Sequence, residues 1–346
     1  MRKWIKVVAV LGITAAVIIL GITVFSNRNG EIPIPSESLS VAFMTGSDSI
    51  GNGGVNDEIW LGLEECKEEY GIKLRLYQIA GTSNDFAQYE MAAMEGADLI
   101  LVRSKYAKEA IGYIEKLNAE YPNVRIAVID DECLADKPEI KRMFANQRFP
   151  LNVEWLDIKY EELVFLSTYL ASLETSTGNI AVCVSENPAD DVIKNGFEAA
   201  MNISRKDITG IIRHINEKED MEAVIAEFAR QKTDVVIMAT ECNAKKVKSI
   251  GKKYGVKVIT ELGASYAAVS RWAAESMAPD TFRPGFFRVG YSRGAVFINA
   301  DEMFWEYENR NKFEKLTEEL EEDELTVPYT KFMLDKYIKE VSKGGH

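Results

Sequence analysis

Residues 95–132 read EGADLILVRSKYAKEAIGYIEKLNAEYPNVRIAVIDDE, and this stretch decides the fold of the chain. Asp98–Val102 is a short apolar run that predicts a buried strand, and Tyr106–Tyr121 predicts a helix that ends before Pro122. Arg125–Asp130 is a second apolar run of strand length. A strand, a helix and a strand in succession predict two parallel strands joined by a right-handed crossover.

The same alternation continues on both sides of this stretch. On the N-terminal side the predicted elements are the strand Ser40–Thr45, the helix Glu58–Tyr70, the strand Lys73–Ile79 and the helix Asp85–Glu95. On the C-terminal side they are the strongly amphipathic helix Tyr160–Glu174 and then, strand and helix in turn, Asn179–Val184, Asp190–Met201, Ile208–Ile215, Glu217–Gln231, Asp234–Ala239, Ala244–Tyr254 and Val256–Glu261. Two such series predict an α/β fold of two doubly wound lobes, as in type I periplasmic binding proteins. The ligand cleft is then expected at the carboxyl ends of the strands.

The N-terminus carries the uncharged run Val7–Ser26, VVAVLGITAAVIILGITVFS. A helix of this length spans about 30 Å, which matches the hydrocarbon core of a bilayer. Basic residues before the run are expected to stay in the cytoplasm, so the rest of the chain is expected outside the cell membrane. We favour an uncleaved single-pass anchor. Cleavage after Ser26 remains an alternative, whereas lipoprotein maturation is disfavoured because no cysteine precedes Cys66.

These patterns divide the chain into five parts. They are a signal anchor or transmembrane helix (1–27), a linker (28–38), an N-terminal α/β lobe (39–150), a C-terminal α/β lobe (151–262), and crossing segments with C-terminal helices (263–346).

Composition excludes several classes of function. The 54 acidic and 41 basic side chains give a formal net charge of -13, which argues against a nucleic-acid-binding protein. Only two histidines are present, and the four cysteines form no C-x-x-C motif, so we expect no metal centre. No catalytic motif of a hydrolase or metalloprotease occurs, so we expect no catalytic residues, no enzyme activity and no cofactor.

The segment Gly53–Leu74, GGVNDEIWLGLEECKEEYGIKL, resembles the first strand–loop–helix unit of the basic membrane protein family. Three further stretches follow in the same order: Glu95–Glu132, Tyr160–Val184 and Asn195–Asn202. The family comprises PnrA-like nucleoside-binding lipoproteins of bacterial ABC importers and the related Med-type regulators. The resemblance covers roughly residues 39–262. It implies an extracytoplasmic solute-binding protein that captures a nucleoside-like molecule and delivers it to an importer permease.

Departures from the family pattern keep a second function open. Glu58-Ile59-Trp60 stands where nucleoside-binding members carry Lys-Ser-Phe-Asn-Gln, and Leu-Gly-Ala-Ser follows Glu261 where they carry Asp-Ser-Asp-Gln. The Glu58-Ile59-Trp60 segment resembles the Med-type pattern, and the missing lipoprotein cysteine also favours a role other than transport. The alternative is therefore a membrane-anchored sensor or regulator with the same fold and no transport role.

The loop Thr45–Asp57, TGSDSIGNGGVND, is the first candidate for ligand contact. Its glycines allow close approach of a ligand, and Asp48, Asn56 and Asp57 supply polar groups near a helix N-terminus. No Gly-Lys-Ser/Thr follows, and the third glycine of a dinucleotide motif is absent, so phosphate-binding loops are excluded. Carboxylates suit the hydroxyls of a ribose. The alternative role for Asn56 or Asp57 is that of a helix cap.

Other candidates follow from strand ends and aromatic side chains. Asp130 ends a strand, and the resemblance implies that an aspartate near this point binds ribose. Trp60, Phe197 and Trp272 are candidates for stacking on a flat ligand, with core packing as the alternative. Glu241 lies at a strand end that is expected to face the cleft. We expect this set to bind a neutral nucleoside in preference to a nucleotide, because acidic groups oppose a phosphate.

Overall fold

The structure is a computed structural model that describes residues 38–80, 85–132, 152–185, 189–205, 207–216, 219–240, 242–278, 281–299 and 307–343. The strands are β1 (Ser40–Thr45), β2 (Lys73–Gln78), β3 (Leu99–Arg103), β4 (Arg125–Ile129), β5 (Val153–Ile158), β6 (Asn179–Ser185), β7 (Thr209–Ile215), β8 (Val235–Ala239), β9 (Lys257–Ile259), β10 (Leu262–Ala264), β11 (Gly285–Val289) and β12 (Val296–Ile298). The helices are α1 (Val55–Tyr70), α2 (Phe86–Met94), α3 (Ser104–Glu120), α4 (Tyr160–Glu174), α5 (Asp190–Ile203), α6 (Met221–Arg230), α7 (Ala244–Tyr254), α8 (Tyr266–Glu275), α9 (Tyr307–Glu321) and α10 (Lys331–Val341).

Two parallel sheets confirm the predicted α/β architecture of two lobes. The first sheet has the strand order β11-β5-β4-β3-β1-β2, and the second has the order β7-β6-β8-β9. Every pairing within these two sheets is parallel. A short antiparallel pair, β10 with β12, forms a separate sheet.

Strand pairing shows which segments belong to the first sheet. Strand β5 was not predicted, and its residues fell in the range assigned to the C-terminal lobe. In the structure β5 pairs with β4 and with β11, so both β5 and β11 belong to the first sheet. The chain therefore enters the second lobe only after β5, and it returns to the first lobe before β11.

Helix α4 differs from the amphipathic helix that its sequence predicted. Residues on nearly every side of the helix are buried, including Glu161, Ser167 and Leu170. The helix contacts β6 and β8 of the second sheet and packs against α5. A helix buried on all sides needs no polar stripe, and its polar groups find partners inside the protein.

Three clusters of buried side chains stabilise this arrangement. The largest runs between the lobes and joins residues of both sheets to α1, α4 and α8. The second lies on the other face of the first sheet, against α2 and α3, and the third on the other face of the second sheet, against α6 and α7. In the part of the chain that the structure describes, no helix combines the length and the apolar character needed to cross a membrane. The run Val7–Ser26 and the linker lie outside the described residues.

Candidate functional site

Polar side chains meet at the carboxyl ends of β1, β3 and β4 in the first sheet. These strands are neighbours in the order β4-β3-β1. The loop Thr45–Asp57 follows β1, Arg103 is the last residue of β3, and Asp130 and Asp131 follow β4. Because parallel strands end at the same edge, segments distant in sequence come together here, as is typical of ligand sites in open α/β sheets.

Arg103 is the centre of this cluster. Its Nε and Nη2 donate to Asp131 Oδ2 at 2.8 and 2.6 Å. Its Nη1 donates to Asp48 Oδ2 at 2.7 Å and to Asn56 Oδ1 at 3.0 Å. The side chains of Arg103 and Asp131 are only 8% and 3% exposed. Burial by itself lowers the pKa of Arg103, but Asp131 and then Asp48 outweigh that effect and raise it.

Asp48 is the carboxylate of the cluster that solvent reaches, with 30% of its side chain exposed. Its Oδ1 accepts a hydrogen bond from the Tyr106 hydroxyl, and its Oδ2 also lies 3.3 Å from Lys105 Nζ. Partial burial tends to raise the pKa of Asp48, but the bonds from Tyr106 and Arg103 outweigh it and lower the pKa to about 2. Asp48 is therefore a fixed anion at neutral pH.

The loop before α1 is shaped by Asp57. Its Oδ1 accepts from the backbone N–H of Gly51, and its Oδ2 accepts from that of Gly53, so these bonds lower the pKa of Asp57. The φ angles of Gly51 and Gly53 are 103° and 78°. Residues other than glycine rarely adopt positive φ angles of this size. Helix α1 itself begins after Gly54 with no side-chain cap. Neither Asp57 nor the buried Asn56 therefore serves as the helix cap considered from the sequence.

Asp130 lies at the same sheet edge, and its charge acts on a second cluster of ionisable side chains. It is fully buried, and its charge is one of the causes that raise the pKa of Asp157. In this cluster Arg288 Nε donates to Asp157 Oδ2 at 2.9 Å. Its two Nη atoms donate to the two Glu161 oxygens at 2.7 and 2.9 Å. Burial is the main cause that raises the pKa of Asp157 to about 7.

The Arg288 cluster connects the two lobes. Asp157 and Arg288 belong to β5 and β11 of the first sheet, whereas Glu161 is in the first turn of α4, which leads to the second lobe. The Arg288 guanidinium also lies 4.5 Å from the centre of the Tyr329 ring, and the carbonyl of Tyr329 accepts from Asn195 Nδ2 on α5 at 3.0 Å. The cluster thus joins the ends of two crossing strands to the segment between α9 and α10.

The aromatic candidates are dispersed. Trp60 and Trp272 are partly buried and pack against the central core, and the Trp272 ring lies 5.5 Å from that of Phe287. Phe197 packs over Gly210, where an added Cβ would lie 2.6 Å from its ring. Gly210 is near the start of β7, so Phe197 lies at the edge of the second sheet opposite the strand carboxyl ends.

The structure thus brings Asp48 and Asn56 into one cluster and places Asp57 beside Asn56 in the first turn of α1. Glu241 lies outside the described residues. Sequence reasoning missed Arg103, Tyr106 and Asp131 as members of this cluster. The available signal was an arginine directly after four apolar residues at the end of a strand, opposite two consecutive aspartates at the end of the next strand. Within the described ranges, no group of three or more His, Cys, Asp or Glu side chains is arranged to hold a metal ion.

Comparison with known sequences supports one family. The chain is 22% identical over 342 residues to basic membrane protein A2 of Borrelia garinii subsp. bavariensis, covering 90% of this chain and 93% of that protein. It is also 22% identical to basic membrane protein A of Borreliella burgdorferi, covering 93% of this chain and 97% of that protein. No protein-family model matches the chain. The relatives confirm the resemblance that the sequence indicated.

Solved structures show the same fold at low identity. An ABC transporter solute-binding protein from Conexibacter woesei matches with a TM-score of 0.60 and 15% identity, over 84% of this chain and 99% of that one. A transcriptional activator of the comK gene from Bacillus halodurans matches with a TM-score of 0.62 and 13% identity, over 82% of this chain and 97% of that one. A solute-binding protein from Aeropyrum pernix matches with a TM-score of 0.53 and 14% identity, over 89% of this chain and 98% of that one. These likenesses establish a fold like that of periplasmic binding proteins.

Proposed function

We propose that this chain, which resembles the basic membrane proteins over most of its length, is a membrane-anchored extracytoplasmic solute-binding protein of an ABC importer. Its ligand is a nucleoside-like small molecule bound between the lobes. The observation that carries the proposal is the polar cluster at the carboxyl ends of β1, β3 and β4, where Asp48 presents a partly exposed carboxylate. The protein is a binding protein rather than an enzyme.

The chemistry of the cluster suits an uncharged polyhydroxyl ligand. The carboxylate of Asp48 can accept hydrogen bonds from ribose hydroxyls. Arg103 is a poor partner for a phosphate because most of its N–H groups already donate to Asp131, Asp48 and Asn56. A phosphate at this edge would also meet the negative charge of Asp48, which favours nucleosides over nucleotides.

Other contacts complete the proposed site. Trp60 or Trp272, on the packed helices α1 and α8, is the proposed aromatic partner that would stack on the base. Asp130 and Glu241 stay proposed ligand residues. Phe197 is the weakest candidate because it packs at the opposite edge of its sheet.

Calorimetry with the full-length chain tests the ligand. Inosine, guanosine and adenosine are titrated beside their monophosphates, and we expect heat with at least one nucleoside and weaker binding of its monophosphate. Asp48→Asn should weaken nucleoside binding at least about tenfold, since the amide offers fewer acceptor sites to a diol. Glu68→Gln, an exposed position on α1, serves as the matched control. Absence of heat with every nucleoside, or tighter binding of a monophosphate, would contradict the proposal.

The anchor and the orientation are tested separately. We propose that Val7–Ser26 spans the membrane once and that the lobes face outward. A protease added to intact spheroplasts should then digest the lobes. Protection until lysis would place them inside the cell and would remove the basis for solute capture.

A second candidate function is a membrane-anchored regulator that kept the fold without a transport role. The likeness in fold to the comK transcriptional activator from Bacillus halodurans favours it, as do the altered residues after Asn56-Asp57. Protease protection in spheroplasts combined with no nucleoside binding would support this function. An importer permease that co-purifies with the chain would support the first.

A further inference from the structure

Arg103 joins three segments of the candidate site. Its guanidinium donates to Asp48 in the loop after β1, to Asn56 in the first turn of α1, and to Asp131 after β4. These partners lie 28 to 55 residues away along the chain. Because the arginine fork is planar and rigid, the three acceptors take fixed positions relative to one another.

Within the cluster, Asp48 is the acceptor that a ligand can reach. Its side chain is 30% exposed, whereas that of Asp131 is 3% exposed and Asn56 as a residue is 1% exposed. Asp57, in the first turn of α1, already accepts from two backbone N–H groups of the preceding loop. The buried acceptors therefore hold Arg103, and Arg103 in turn holds Asp48.

The carboxylate of Asp48 retains capacity for a ligand. Its Oδ1 accepts from Tyr106, and its Oδ2 accepts from Arg103 and from the Lys105 ammonium. A carboxylate offers about four acceptor sites. The Lys105 side chain is 41% exposed, so its ion pair is weak and a ligand hydroxyl can replace it. Two adjacent hydroxyls can then bind, one on each oxygen.

We propose that Arg103 is the positioning residue that selects the ligand class, because it fixes Asp48 in the orientation that accepts a vicinal diol of an uncharged ligand. The inference rests on the proposed function and adds the group that creates the specificity. Arg103 also neutralises charge at the sheet edge, since Asp48 and Asp131 would otherwise favour cationic ligands.

The test compares adenosine with 2′,3′-dideoxyadenosine, which lacks the diol. The main variant is Arg103→Met combined with Asp131→Asn, which removes both members of the buried pair and leaves no buried charge unpaired, while the partly exposed Asp48 keeps Lys105 as a partner. The second is Arg103→Lys, because one ammonium cannot reproduce the fork. The control is Arg213→Met with Glu227→Gln, which removes a partly exposed ion pair of 2.7 Å in the second lobe.

We expect the full-length wild type and the control to bind adenosine more tightly than its dideoxy analogue. In the main variant the ratio of the dissociation constant of 2′,3′-dideoxyadenosine to that of adenosine should fall about tenfold or more. A fall of this size corresponds to the loss of a well-oriented hydrogen bond to a charged group. Arg103→Lys should lower this ratio as well. If the main variant does not fold, Arg103→Lys alone tests whether Arg103 positions Asp48.

An unchanged ratio in the folded variants would overturn the inference. Equal weakening of both nucleosides would also overturn it, because a purely structural arginine would affect them alike. If the wild type binds no ribonucleoside at all, the proposed function fails and the inference fails with it. That outcome is distinct because it appears before any substitution is made.

Discussion

The buried carboxyl of Glu154 makes the stability of the fold depend on pH. Glu154 lies in β5 and is fully buried, and its two carboxyl oxygens lie 3.1 and 3.2 Å from the Ser276 hydroxyl. Among the described residues no arginine or lysine acts on its pKa, which burial and the Ser276 bond determine. Burial raises the pKa of Glu154 to about 8 from an ordinary value of 4.5, and the Ser276 bond opposes this only in part. The folded protein therefore keeps this side chain protonated at neutral pH.

The sign and size of the effect follow from proton linkage. The unfolded chain releases the proton near pH 4.5 and the folded chain near pH 8, so stability falls as pH rises between these values. At about 1.4 kcal/mol per pH unit, the loss is about 3 kcal/mol at pH 7 and about 5 kcal/mol above pH 8. Glu154→Gln has no proton to lose and retains a polar partner for Ser276. We expect it to match the wild type near pH 4.5 and to be more stable at pH 8.

Thermal melts of the two proteins between pH 4.5 and 9 measure this difference. An advantage of a few kcal/mol corresponds to a melting temperature higher by about 5 °C or more at pH 8. Glu68→Gln on the exposed surface of α1 is the matched control and should follow the wild type at every pH. Parallel pH profiles for Glu154→Gln and the wild type would refute the reasoning, because they would mean that Glu154 ionises in the folded protein without cost.

Three further substitutions test the packing and the loops. Gly46→Ala would place a Cβ 2.1 Å from the Tyr106 ring. We expect it to displace that ring and to weaken adenosine binding in calorimetry, and unchanged affinity would count against the proposed site. Gly62→Ala would place a Cβ 2.1 Å from the Ala267 carbonyl. It should cost about 1–3 kcal/mol in urea unfolding by separating α1 from α8, and an unaltered midpoint would contradict this close contact. Asp234 accepts from the hydroxyl and backbone groups of residues 175–177, which overcome the opposing effect of burial and lower its pKa to about 2. Asp234→Ala should cost about 1–3 kcal/mol at pH 7. The difference should shrink as pH falls from 3.8 towards 2, and a cost independent of pH over that range would disprove the role of the charge.

Much of the fold was predictable from local pattern. The apolar runs around Phe43, Leu101 and Val128 have the length of buried strands, and the segments between them have the spacing of helices. In the structure these runs are β1, β3 and β4, three neighbouring strands of the first sheet. The loop after β1 lies at the sheet edge where a parallel sheet of this kind places it.

Strand β5 shows where local pattern fails. Its sequence, VEWLDI, carries two acidic residues, and a run interrupted in this way does not indicate a buried strand with neighbours on both sides. The structure buries both acids because their partners come from far along the chain. Glu154 meets Ser276, and Asp157 meets Arg288, at separations of 122 and 131 residues.

The candidate site was likewise predictable only in part from local sequence. Sequence by itself determined the alternation of strands and helices, and through it the edge of the sheet where polar loops gather, because apolar spacing is a local property of the chain. Only the tertiary structure decided which polar groups pair there. From its position at a strand end alone, Arg103 would be predicted to be a solvated charge. In the structure it is buried because Asp48, which follows β1, and Asp131, which follows β4, lie beside it and pair with it. The pairing of charged side chains depends on distances in space, which the order of residues along the chain does not contain.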